Sequence, residues 1–163
     1  MSYASSTNLV TIINAAGIPA RLFMGFAADR FTGPMNGIIP FIFLVGVMAF
    51  SWIGVTTVGG MYAFTSVLGV ILGAFQCLFP TTIASLHTDL SKNGVRLGMA
   101  FSVFSFAGLT GPPIGGALLE TNGGERGGWL AALVGVGIAT MLGCALLGIA
   151  RVHKAGWKLM TKC

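Results

Sequence analysis

Residues 25–36 read Gly25-Phe26-Ala27-Ala28-Asp29-Arg30-Phe31-Thr32-Gly33-Pro34-Met35-Asn36, a cluster with one acid and one base wedged between two long apolar stretches. Ionisable residues are costly near a bilayer, so charges that interrupt hydrophobic segments mark a working joint. The surroundings of the cluster decide the fold class. Hydrophobic residues make up 55% of the 163-residue chain, charged residues only 8%, and mean hydropathy is +0.87, whereas soluble domains carry about 25% charged residues. Such a chain cannot cover a globule with polar surface, and lipid must be the solvent for most of it. A helix needs about 20 apolar residues to cross a hydrocarbon core roughly 30 Å thick. Five segments meet that requirement, at about residues 7–28, 37–55, 59–86, 97–119 and 129–150. The sequence therefore predicts an all-α integral membrane protein, with residues 1–163 as one membrane domain and residues 151–163 as a basic tail.

Lysine and arginine bias between alternating loops sets orientation. Arg21 and Arg30 fall at the first turnaround, Lys92 and Arg96 at the third, and Arg151, Lys154, Lys158 and Lys162 at the C-terminal end. On the other side stands only Arg126, beside Glu120 and Glu125. The basic side is expected to be the cytoplasm, which places the C-terminus inside. Topology and contact with anionic lipid then account for the net charge of +5, and no nucleic acid is called for. The first residues lack the basic region of a secretory signal, so the first apolar stretch is expected to be retained as a span. Cys77 and Cys144 fall within spans and Cys163 ends the tail, a pattern that makes no paired extracellular framework.

Glycine is the next signal, since 25 glycines in an apolar chain imply close helix contacts. Gly69 and Gly73 form one ridge, and Ala131, Gly135, Ala139 and Gly143 form another on which a neighbouring backbone is expected to lie. The fourth span holds Gly108, Gly111, Pro112, Pro113, Gly115 and Gly116. Its two prolines remove backbone donors and favour a kink, while the glycines open grooves beside it. A kink next to a groove makes a rocking surface.

Four stretches carry a resemblance: GFAADRFTGPMN (25–36), GAFQCLFPTTIASL (73–86), DLSKNGVRLGMAFSVFSFAGLTGPPIGGALL (89–119) and GWLAALVGVGIATMLGCALLGIAR (128–151). In this order they resemble the last five spans of fungal monocarboxylate-transporter-like members of the major facilitator superfamily. The resemblance implies spans eight to twelve of a twelve-helix secondary carrier, with the first seven spans lacking a counterpart here. It also implies a plasma-membrane location, a small-molecule substrate such as an organic anion, and a complementary transporter half as partner. The alternative expectation is a non-transporting membrane partner or an inactive half-transporter fragment.

The same resemblance assigns roles residue by residue. Gly25, Asp29, Arg30 and Gly33 match the family's loop between spans eight and nine, where acid and arginine stabilise one conformation of the carrier. Arg21, in the stretch IPARLFMGF (18–26), resembles a position of animal monocarboxylate transporters at which an arginine pairs with the substrate carboxylate. Guanidinium suits that task because its planar fork stays protonated. Snorkelling of Arg21 to the interface is the competing reading. The animal family has an aspartate four residues earlier where this chain has Gly17, so proton coupling through that carboxylate is not expected. Asn14 lies two helical turns before Arg21 and is expected to share its face. Gln76 and the hydroxyls Thr65, Ser66, Thr81, Thr82, Ser102 and Ser105 are the other polar groups within spans, and His87 and Asp89 end the third span. With two distant histidines, no phosphate-cradling loop and no spaced nucleophile set, the sequence predicts neither an enzyme nor a cofactor nor a bound metal.

Overall fold

The computed structural model describes residues 3–28, 30, 34–85, 92–121 and 125–155. Five helices follow in order: α1 (Tyr3–Ala27), α2 (Pro34–Ser51), α3 (Val58–Ser85), α4 (Asn93–Thr121) and α5 (Glu125–Ala155). A short 3₁₀ turn, Trp52–Gly54, ends the second span. All five are long and apolar enough to cross a membrane. Each exceeds or ends near its predicted span, because the flanking polar residues continue the helical hydrogen bonding. In α5 the helix runs on to Ala155, so Arg151 is helical.

Pairing of the helices follows from where small residues admit a neighbour. Helix α1 packs chiefly on α3, α2 sits between α3 and α5, and α4 leans on α5 and α3. The α1–α3 crossing is backbone against backbone. A Cβ on Gly69 would lie 2.6 Å from the Ile13 carbonyl oxygen, and one on Gly73 would lie 2.6 Å from that of Gly17. The Gly69 and Gly73 ridge thus receives α1, with Gly17 at the crossing. Contacts rise together along both chains, from Ile13 with Gly69 to Gly25 with Cys77, so α1 and α3 run parallel.

The core gathers where the basic ends of the helices meet. Ala28, Ile38, Ile42 and Leu78 are buried together, with Met24, Phe75, Phe79, Cys144 and Leu147 packed around them. The Thr82 hydroxyl lies 2.7 Å from the Leu78 carbonyl and 3.1 Å from that of Pro34, tying α3 to the first turn of α2. Arg151 donates from Nε to Asn36 Oδ1, joining α5 to the same turn.

Helix α5 meets α2 on a different stripe from the one expected. Gly137 faces the ring of Phe50, and Met141 lies over Gly46. Gly135 and Ala139 face outward, while Gly143 borders a cavity of about 240 Å³ between α2, α3 and α5. The physical reason is the bulk of Phe50, which is seated over the bare backbone at Gly137 and turns that face inward. Gly135 lies two residues away, about 200° around the helix.

Helix α4 is the least enclosed element, with none of its most apolar span window buried. Phe79 holds it through ring contacts to Phe101 and Phe104. Its outward face carries Phe106 at 73% and Leu109 at 78% exposure, values that suit lipid or another protein surface and not water.

Candidate functional site

The glycine crossing sets the site. Where α1 and α3 touch at Gly17 and Gly73, the next turn brings Arg21 of α1 opposite Gln76 of α3. Nη2 of Arg21 donates to Oε1 of Gln76 at 2.5 Å across 55 residues of sequence. Arg21 lies six residues before the end of α1 at Ala27, a depth of about 9 Å along the helix. Gln76 has a second acceptor nearby. Pro80 is inside α3 and has no N–H, so the main-chain carbonyl of Gln76 loses its usual donor. One guanidinium with five donors, an amide with both donor and acceptor, and a loosened carbonyl therefore share one exposed patch between two spans.

Chemically, this patch suits a carboxylate or enolate. The guanidinium fork offers parallel donors, and Gln76 accepts from one N–H of Nη2, which leaves four of the five donors for a ligand. The sequence showed Gln76 only as a polar residue within a span. Its partnership with Arg21 depends on α1 and α3 packing together, although α2 separates them along the chain.

The other expected site residues are placed as follows. Asn14 is exposed and donates to the Val10 carbonyl at 2.9 Å within its own helix, and the structure pairs Arg21 with Gln76 and not with Asn14. Gly25 is inside α1, with Cys77 Sγ 3.4 Å from where its Cβ would be. Arg30 is exposed just past the end of α1. Asp29, Gly33, His87 and Asp89 lie outside the described residues. Thr65, Ser66, Thr81, Ser102 and Ser105 each return a hydrogen bond to the carbonyl four residues back, which lets a hydroxyl sit in a span without a partner helix.

On α4, Gly108, Gly111, Gly115 and Gly116 have no atom within 4 Å of an added Cβ. The helix is continuous through Pro112 and Pro113. Those prolines leave the carbonyls of Gly108 and Leu109 without their i+4 donors, at mid-span on an open helix. Lipid cannot satisfy such groups.

Comparison with known proteins points the same way as the helices. The chain is 37% identical over 153 residues to an MFS-type transporter of Gibberella zeae, covering 94% of this chain and 34% of that protein. It is 36% identical over 155 residues to MFS-type transporter 1 of an Ophiocordyceps species, covering 94% and 33%. It is also 34% identical over 124 residues to the aspyridones efflux protein of Emericella nidulans, covering 76% and 25%. No family model and no solved structure matches. The chain spans about a third of the length of the first two of these relatives. Over that third the chain is similar to proteins named as MFS-type transporters, and its five long apolar helices fit a partial major-facilitator bundle.

Proposed function

We propose that this chain acts as spans eight to twelve of a monocarboxylate-like secondary carrier that moves a small organic anion. The observation that carries the reading is the Arg21–Gln76 pair, an arginine set inside a span and oriented by a side chain of a second span. Arg21 takes the anionic group of the substrate, and Gln76 accepts from its Nη2. Asp29 and Arg30, which follow α1 in the sequence, stabilise one state of the carrier. The open Gly108–Gly116 face of α4 meets a complementary transporter half, which covers its exposed apolar side chains and provides polar surroundings for the loosened carbonyls.

Replacing Gln76 with glutamate tests the pairing directly. The variant places a carboxylate against Arg21 and neutralises the site without changing side-chain length. The setting is a joined carrier in which this chain replaces the segment of the Gibberella zeae relative that it matches. Uptake of labelled monocarboxylates is expected to fall about tenfold, the effect of roughly 1.4 kcal/mol, while surface expression holds. Unchanged uptake in Gln76→Glu would remove Gln76 from the site.

The same reading places the basic end of the bundle in the cytoplasm and the protein in the plasma membrane. A tag on the C-terminus is expected to be unreachable by antibody in intact cells and reachable after permeabilisation. Labelling of that tag in intact cells would reverse the orientation.

A further inference from the structure

At the end of the bundle away from the basic turns, a half-open cavity of about 470 Å³ lies between the end of α2, the start of α3 and the start of α5, with Trp52, Val55, Thr56, Met61, Trp129 and Leu133 among its walls. Its depth is set by the spans. Trp52 stands in the turn that closes the span Asn36–Gly54, and Trp129 is two residues into the span Gly127–His153. Both indoles therefore sit at the level of lipid headgroups, where tryptophan is enriched.

The two indole rings are 5.8 Å apart with planes at 83°. Phe64, outside the lining, packs on Trp52 at 5.3 Å and holds its ring. The two rings meet edge to face and form a corner, and a ring face that this edge contact leaves free attracts a cation through its quadrupole. The walls are otherwise mostly apolar, and among the described lining residues none is charged. That combination selects one kind of headgroup. An anionic group finds no counter-charge among the described lining side chains, and a primary ammonium brings three N–H groups to lining side chains whose one hydroxyl is that of Thr56. A quaternary ammonium has no N–H to satisfy.

We propose that this cavity binds the trimethylammonium group of a choline phospholipid. The acyl chains of that lipid run along α5, where Leu130, Val134 and Ile138 are exposed. The site is independent of the Arg21 patch and needs no substrate.

The test uses the purified 163-residue chain in vesicles containing equal amounts of palmitoyl-oleoyl phosphatidylcholine, phosphatidylethanolamine and phosphatidylglycerol. After partial delipidation, native mass spectrometry counts the lipids retained. Phosphatidylcholine is expected to be retained about fivefold over phosphatidylethanolamine. Trp129→Leu should bring that ratio to about one, and Trp52→Phe, which keeps a ring of weaker quadrupole, should give an intermediate value. Equal retention of the two zwitterionic lipids by the unmodified chain would overturn the proposal, and that comparison needs no variant to fold. Stronger retention of phosphatidylglycerol, or a choline preference that survives Trp129→Leu in helical, monodisperse protein, would overturn it as well.

Discussion

Gly73→Ala is expected to lower the stability of the purified chain by about 1–3 kcal/mol, whereas Gly135→Ala leaves it unchanged or raises it slightly. The contrast follows from what each methyl group meets. At Gly73 the new carbon would stand 2.6 Å from the Gly17 carbonyl oxygen, which is backbone and cannot rotate away. Carbon–oxygen contacts at helix interfaces settle at about 3.3 Å or more, so α1 and α3 must part by roughly 0.7 Å. At Gly135 nothing lies within 4 Å, and alanine in a helix is favoured over glycine by about 0.5–1 kcal/mol. Detergent unfolding followed by circular dichroism checks both variants. The same separation lengthens the Arg21–Gln76 hydrogen bond one turn away, so Gly73→Ala should also weaken transport in the joined carrier. Equal stability of Gly73→Ala and the unmodified chain would mean that the two backbones do not touch.

The five spans were legible because run length alone separates a membrane helix from a buried one, and the cluster around Asp29 and Arg30 divides the first two. The Gly69 and Gly73 ridge was legible for the same kind of reason, as small residues four apart mark one helix face. Its partner was not. Gly17 drew notice as the place of an absent aspartate, and only the parallel packing of α1 on α3 shows it as the floor of the crossing. In α5 the sequence holds small residues on two stripes, and spacing cannot choose between them. Phe50 on α2 chooses, by seating its ring over Gly137. Gln76 illustrates the limit most sharply, since its bond to Arg21 joins helices that are not neighbours in sequence and no local pattern announces it. The Trp52 and Trp129 corner likewise arises only once α2 and α5 pack together.

Arg21→Ala is expected to abolish anion uptake in the joined carrier, because the only positive group set within α1 is removed and no other residue of the patch carries charge. Arg21→Lys is the sharper variant. Lysine keeps the charge and reaches an interface as well as arginine does, but it lacks the planar fork that grips a carboxylate through two parallel donors. Transition from arginine to lysine at a bidentate site removes one charge-assisted hydrogen bond, worth about 1.5–3 kcal/mol, so uptake should fall roughly tenfold to a hundredfold. An arginine that served only to anchor α1 at the membrane surface would accept lysine without loss. The deciding measurement is therefore initial-rate uptake of labelled monocarboxylates by Arg21→Lys and unmodified carriers at matched surface expression. A loss of most transport is the predicted result, and near-normal transport by Arg21→Lys would contradict the assignment of Arg21 and Gln76 as the anion site.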